Sequence, residues 1–425
     1  MEKVNKMLQY DGSRLNDSVK GFRSKTLPAS LTGVPWGRFC KALKCCLTVR
    51  WRVRMKIRFL LLTLSSLILV GVIFGFSFSG EEWRQAVGPW KWVFPRDHGS
   101  HPEFRTEWWY FTGNLNDPSG KRFGYQLTFF RQGIVLKAKD PNNPWSIRDL
   151  FPGHFTLTDV SANQFWYAER LSRKGPEIAG AAEDKMDVWL LNWVATMKNN
   201  TIRIGARHQA MEVSLELRPR KPLVFHGQNG LSKKGPREGQ ASYYFSYTDL
   251  STQGFIKTPN SPSGTRVTGT SWFDHEFGSN QLASNQVGWD WFSLHLSNGQ
   301  DLMIYFLRRS DGSVEPTSSG TLVSSEGRAT HLKLSDINVE VLDHWKSLRS
   351  GGKYPSRWRI RVPSVGIDLL VTPLVAAQEL VTEGSTGVVY WEGAVEGNGK
   401  SAGKEVTCKG YIEMTGYAGT LGGLL

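Results

Sequence analysis

The common catalytic signatures are missing from this sequence. Only four cysteines occur among 425 residues. Three of them, Cys40, Cys45 and Cys46, precede a long apolar run, which leaves Cys408 alone beyond it. A single thiol closes no disulfide and builds no Cys-rich zinc site. There is no H-E-x-x-H helix, glycine-rich phosphate loop or C-x-x-C pair, so the familiar routes to zinc proteolysis, nucleotide binding and dithiol exchange are excluded. His98 and His101 stand near Asp97 and Glu103, but a Gly- and Pro-punctuated approach to a strand accounts for them, and no metal or other cofactor is expected. Helical periodicity is scarce too: only 161–170 and 342–349 read as short helices.

Basic charge is abundant overall, at +14, yet it is concentrated. Residues 1–58 hold fourteen Lys and Arg against three acids, a net +11, so the rest of the chain carries only +3. That balance excludes a nucleic-acid face on the folded part. Residues 59–80, FLLLTLSSLILVGVIFGFSFSG, contain no charged side chain and are long enough to cross a bilayer as a helix. Arg50, Arg52, Arg54, Lys56 and Arg58 precede the run, which places the tail in the cytoplasm and everything after residue 80 across the membrane. With Met55 as an alternative start, the same run becomes a signal peptide with small residues for cleavage at 77–79. Either way the bulk of the chain is expected to be exported, anchored or released.

Beyond residue 85 the apolar pattern has period two nearly everywhere, as in MEVSLELR (211–218), with Gly, Pro, Asn and Asp between the runs. Many short strands and almost no helix predict an all-β sandwich or barrel. Seventeen tryptophans suit large apolar surfaces that still need polar handles. The stretches 226–240 and 257–266 read as loops, and 310–328 as Ser/Gly-rich. A faint repeat links WWYFTGNLNDPSGKRFGYQLTFFR (108–131) with WDWFSLHLSNGQDLMIYFLR (289–308): each is an aromatic strand, an Asn/Asp-Gly turn and a returning strand that ends in arginine. It predicts two related β-domains, 85–284 and 285–425.

Three acid-aromatic clusters stand out. In RTEWWYFTGNL (105–115), alternation puts Glu107, Trp109 and Phe111 on one face and Trp108, Tyr110 and Thr112 on the other. A carboxylate in such company is either paired, with Arg105 or Arg131 available, or raised in pKa. In SWFDHEFG (271–278), Trp272, Asp274 and Glu276 share one face, and Phe273, His275 and Phe277 the other. In GWDWFSLHL (288–296), Asp290 lies between Trp289 and Trp291. Charges are disfavoured in strands without cause, so these acids are candidates for proton transfer.

FPRDHGSHPEFRTEWWYFTGNL (94–115), SWFDHEFGSNQL (271–282), GWDWFSLHLSNGQDLMIYFLR (288–308) and GYIEMTGYAG (410–419) together resemble the carotenoid 1,2-hydratase, or hydroxyneurosporene synthase, family. The resemblance spans about 85–420 and is to that family's exported, AttH-type branch. It implies two lipocalin-like antiparallel barrels in tandem and cofactor-independent addition of water to an isoprenoid or polyene. Carried onto this sequence, it marks Asp274, His275 and Asp290 as the functional group, with Glu107 as a further candidate and Trp272, Trp291, Trp109 and Tyr110 as an aromatic wall. Hydration requires a carboxylic acid kept neutral by desolvation, rings that stabilise a carbocation, and an oriented water. Asp274 is the expected acid and His275 the expected water-orienting group. A second expectation, from a different class, is a non-catalytic carrier of an apolar ligand, accessory to a membrane transporter.

Overall fold

The computed structural model describes residues 82–140, 142–280, 282–419 and 421, so the basic tail and the apolar run 59–80 lie outside the described residues. Among the described residues, no helix is long and apolar enough to cross a membrane. What they form is all-β.

The first sheet comprises β1 (Thr106–Asn116), β2 (Arg122–Gly133), β3 (Asp149–Asp159), β4 (Gln164–Arg173), β5 (Ala179–Ala181), β6 (Asp187–Leu190), β7 (Trp193–Lys198), β8 (Thr201–His208), β9 (Met211–Pro219), β10 (Val224–Phe225), β11 (Leu231–Lys233), β12 (Ala241–Thr258) and β13 (Ser261–Gly278). Its order is β4-β3-β2-β1-β13-β12-β9-β8-β7-β6-β5, with β10 and β11 paired to β12, and it curls into a nearly closed barrel. The second sheet comprises β14 (Gln286–Leu296), β15 (Asp301–Arg309), β16 (Ser319–Val323), β17 (Ala329–Lys333), β18 (Asn338–Lys346), β19 (Lys353–Val362), β20 (Ile367–Pro373), β21 (Glu379–Val381), β22 (Val389–Ser401) and β23 (Lys404–Thr415). Its order is β17-β16-β15-β14-β23-β22-β20-β19-β18, with β21 on β22, and it forms a half-barrel.

Period-two patterning produces this architecture directly. Along β9, Met211, Val213, Leu215 and Leu217 are buried in the first core while Ser214 and Arg218 are exposed. Each sheet sets its first strand between its second and its last, β1 between β2 and β13, and β14 between β15 and β23. The two repeated hairpins are thus topologically equivalent.

Both predicted helices are strands instead. Asp159 caps a tight turn by accepting from the Ala162 amide at 3.1 Å, Asn163 adopts a left-handed φ of 51°, and β4 then pairs residue by residue with β3. Residues 338–346 are likewise β18, held by β19 along their length. The loop predicted at 257–266 is mostly strand, because β12 and β13 continue as a long hairpin that turns between Thr258 and Ser261. Short strands also interrupt 226–240 and 310–328.

Three packed layers follow. The interior of the first barrel is filled, around Trp109, Phe111, Phe155, Trp193, Leu215 and Phe273. The second sheet's concave face is filled around Phe292, Trp358, Ile360 and Trp391. Between them lies a third cluster that includes Tyr110, Tyr244, Trp272, Trp291, Tyr305 and Tyr411. Gly124 permits this contact, since a Cβ there would meet the Tyr411 hydroxyl at 2.6 Å and Ala394 Cβ at 2.8 Å. Polar cross-links include Asn114 Nδ2 to the Gly410 carbonyl at 3.0 Å, Arg122 to Glu396 at 2.8 Å and Lys221 to Asp301 at 2.6 Å.

Candidate active site

The strand SWFDHEFG has both faces buried, and they look into different places. One face enters the first barrel. There His275 Nε2 lies 3.0 Å from Glu107 Oε1, and its ring stacks on Trp109 with centroids 4.8 Å apart. Glu107 is fully enclosed and saturated: it meets Arg131 Nε at 2.9 Å and His101 Nδ1 at 2.8 Å, and accepts from the His101 amide and the Ser100 hydroxyl. Arg131 in turn reaches Asp149 at 3.0 Å and the carbonyls of His101 and Phe104. Burial alone would raise the Glu107 pKa, but Arg131 and the two imidazoles hold it well below the usual carboxylate range. The ligand atoms of His101, Glu107 and His275 lie within 4.8 Å of one another, a spacing that a cation could use. Here the guanidinium of Arg131 already supplies the positive charge.

The other face lines a cavity of about 290 Å³ between the two sheets. Its walls come from both: Trp108, Tyr110 and Phe130 from the first hairpin, Trp289, Trp291 and Tyr305 from the second, with Asp274, Glu276, Glu413, Lys234 and Tyr244 among them. The aromatic residues are where the alternation places them, but the hollow lies between the barrels rather than inside one.

Asp274 accepts three hydrogen bonds, from Tyr244 Oη at 2.7 Å, from Trp272 Nε1 at 2.6 Å and from Ser246 Oγ. Each donor is itself braced. Tyr244 accepts from Trp291 Nε1 at 3.1 Å, and Ser246 lies 2.7 Å from His226 Nε2, an imidazole that burial holds neutral by pushing its pKa down to about 3. Burial nevertheless lifts Asp274 to about 7, against those three bonds and aided by the charge of Glu276. Glu276 itself pairs with Lys234 at 2.9 Å, whose ammonium sits 4.1 Å over the Tyr305 ring.

Glu413, on β23, is the second acid of the cavity. It receives a bond from Trp289 Nε1 at 3.0 Å, and burial, with the charges of Asp274 and Glu276, lifts it to about 7. Its cross-strand neighbour Glu392 is wholly buried behind the wall, where it accepts from Tyr110 Oη at 2.7 Å. Burial first and Glu413 second raise Glu392 well above the carboxylate range.

Of the residues singled out from sequence, Asp274, Tyr110 and Trp291 line the cavity, and Trp272 backs it through its bond to Asp274. Glu107, His275 and Trp109 do not reach it, because they lie on the opposite face of their strands, inside the first barrel. His275 therefore orients no water beside Asp274. Asp290 also points away: Arg308 Nε lies 3.2 Å and Tyr417 Oη 2.9 Å from its carboxyl. Glu276, named with Asp274 on one face of SWFDHEFG, lines the cavity as well, whereas Glu413, Glu392, Lys234 and Tyr244 were not among the sequence candidates. Glu413 and Glu392 carry the same acid-among-aromatics signal, in GYIEMTGY and VYWEG, that drew attention to the other three clusters; Lys234 sits in a polar stretch with nothing to mark it.

An all-β pair of lipocalin-like sheets with ionisable groups in the seam between them defines the class. The chain belongs to the AttH-like family, whose profile matches residues 85–417. An AttH-type protein of Nitrosomonas europaea, solved by crystallography, is 32% identical, with a TM-score of 0.70 over 79% of this chain and 99% of that one. Kievitone hydratase from Nectria haematococca has the same fold at 15% identity, with a TM-score of 0.60 over 78% of this chain and 94% of that one. No curated protein matches the chain.

Proposed function

We propose that this chain is a cofactor-free hydratase that adds water across a carbon–carbon double bond of an apolar isoprenoid or polyene in the cavity between its sheets. The observation that carries this reading is that Asp274 and Glu413 line one cavity within walls of Trp and Tyr, each carboxyl lifted to about 7. A pair that titrates near neutrality can hold one proton and one negative charge, the two states that acid–base addition needs.

The donors divide the roles. Asp274 accepts three hydrogen bonds and Glu413 one, and bonds to a carboxylate favour its ionised form. Glu413 is then the proton donor and Asp274 the base, a reversal of the role that the sequence suggests for Asp274. Glu413 delivers its proton to one alkene carbon, the π pair forms the new C–H bond, and the positive charge develops on the more substituted carbon. The faces of Trp108, Trp289 and Trp291 stabilise that charge, each by about 2 kcal/mol or more when desolvated. Water then bonds to the cation and loses a proton to Asp274. Transfer of that proton back to Glu413 restores the site, so substrate plus water gives one alcohol. The relationship in fold to a hydratase agrees with this chemistry. The basic block and apolar run further suggest that it takes place beyond the cytoplasmic membrane, on an anchored or released protein.

The test begins with mass spectrometry of lipid extracted from purified protein, followed by incubation of that lipid, of squalene and of lycopene in heavy-oxygen water. Incorporation of one labelled oxygen, lost in Asp274→Asn and in Glu413→Gln, is the expected result. A ligand bound stoichiometrically but returned without label overturns catalysis and leaves the carrier function.

A further inference from the structure

Behind the cavity wall, a group of buried polar atoms is left without a well-formed hydrogen bond among the described residues. Glu392 Oε2 and Gln126 Oε1 are inaccessible and have no partner, and Thr156 Oγ1 and the Tyr411 hydroxyl, also inaccessible, have at most a marginal contact with each other. They belong to one locality. Gln126 stands directly opposite Thr156 in the β2–β3 register, and its amide nitrogen is spent on Thr128. The Tyr411 hydroxyl reaches over Gly124 into marginal contact with the hydroxyls of Thr156 and Thr158, and it feels the charge of Glu392. Glu392 has one oxygen occupied by Tyr110.

An unsatisfied buried polar atom costs about 1–3 kcal/mol, so a cluster of them in one seam calls for a further partner. Buried water is the ordinary remedy where two to four polar groups converge. Tyr110 and Gln126 also line the cavity, so this locality opens onto the place where a substrate sits.

We propose that Glu392, Gln126, Thr156 and Tyr411 form an internal water site, gated from the cavity by Tyr110, and that the water added to the substrate is drawn from it. The delivery role rests on the hydratase reading above; the water site does not. Glu392 acts here as a positioning residue. With Tyr110 donating to one of its oxygens, a neutral carboxyl offers its own O–H from the other, and one water can accept that bond while donating to Gln126 or Thr156. Burial beside Glu413 favours this protonated form.

A glutamine side chain copies a neutral carboxylic acid, with one acceptor and one donor, whereas leucine fills the space and offers neither. A high-resolution crystal structure of the wild type should contain an ordered water within hydrogen-bond distance of Glu392 Oε2 and at least one of the other three atoms. With an isoprenoid that the wild type labels, Glu392→Gln should keep kcat within a few-fold, and Glu392→Leu should lower it by about 10²-fold at unchanged KM. If the four atoms are found satisfied by one another with no water between them, the site is refuted. If Glu392→Gln is as damaging as Glu392→Leu, the holding role is refuted and Glu392 is a base. Ordered water in a protein that labels no probe upholds the site and overturns only the hydratase reading.

Discussion

The two faces of β13 look onto acids under opposite regimes: His275 on one face meets Glu107 of the neighbouring β1, and Asp274 lies on the other. Inside the first barrel, Glu107 is matched by a guanidinium, two imidazoles and the His101 amide, and its carboxyl stays ionised. In the seam between the sheets, Asp274 and Glu413 receive hydrogen bonds from neutral side chains such as Tyr244, Trp272 and Trp289, and the ammonium of Lys234 is committed to Glu276. Burial then wins and both carboxyls rise towards neutrality. Burial thus yields a fixed charge on one face and a titrating pair on the other, and the difference lies in whether a cation is paired with the carboxyl. A buried acid marks chemistry only when its compensation is incomplete.

The sharpest separation of the two faces comes from isosteric neutralisation. Asp274→Asn and Glu413→Gln should each lower the rate of label incorporation by roughly 10²–10⁴-fold, and the double variant should lose little more than either alone. Thermal unfolding of both should remain close to wild type, because neither side chain holds a charge partner. Infrared difference spectra should show a protonated-carboxyl band near neutral pH that disappears in Glu413→Gln. A band that disappears instead in Asp274→Asn would exchange the two roles.

The opposite signature is expected inside the barrel. Arg131→Met leaves Glu107 and Asp149 buried without their cation, which costs about 3–5 kcal/mol. Unfolding in denaturant should show it as a lower midpoint at unchanged slope. Activity per folded molecule should change little. A variant that folds normally yet loses turnover would mean that the Glu107 cluster is joined to the cavity after all.

The legibility of these regions in the sequence follows the same physics. Alternation separated Glu107 and Trp109 from Tyr110 within one strand and His275 from Asp274 and Trp272 within another, and the hairpin repeat sets at equivalent places Tyr110 and Trp291, which meet edge-to-face at 5.1 Å across the seam. It did not reveal which face would look into a cavity, because both faces of these strands are aromatic and the second sheet supplies the far wall. Asp290 was misleading for that reason: its neighbours Trp289 and Trp291 line the cavity while its own side chain, one step out of phase, turns to Arg308. The helices read at 161–170 and 342–349 failed because strand pairing with β3 and β19 outweighs local propensity in segments that short. Glu392 depends on a partner 282 residues away in sequence, Tyr110, and a pairing at that distance leaves no local pattern.

The pH dependence of stability should also split by face. Asp274 and Glu413 bind a proton more tightly folded than unfolded, so their contribution is complete below about pH 4 and is lost as the pH rises through about 7. Glu107 does the reverse: its contribution is present above the unfolded carboxyl pKa and is lost as the solution becomes more acid. Each titrating proton changes stability by at most about 1.4 kcal/mol per pH unit. Unfolding free energies measured from pH 5 to 8 should therefore fall less steeply in Glu413→Gln than in wild type. An unchanged slope would show that Glu413 titrates at the ordinary carboxyl value.

Asp290 provides the smallest effect and the control for the whole comparison. It resembles Asp274 in sequence, an acid among aromatic residues on a central strand, but Arg308 and Tyr417 already satisfy it on the far side of that strand. Burial raises it, with Arg308 opposing. Asp290→Asn should leave kcat within a factor of about two, since it shares no partner with Asp274 or Glu413. The partly open pair with Arg308 is worth about 1 kcal/mol, read as a small fall in the denaturant midpoint. If Asp290→Asn instead abolished labelling while Asp274→Asn did not, the reacting cavity would be the concave side of the second sheet, and the seam would be a structural joint.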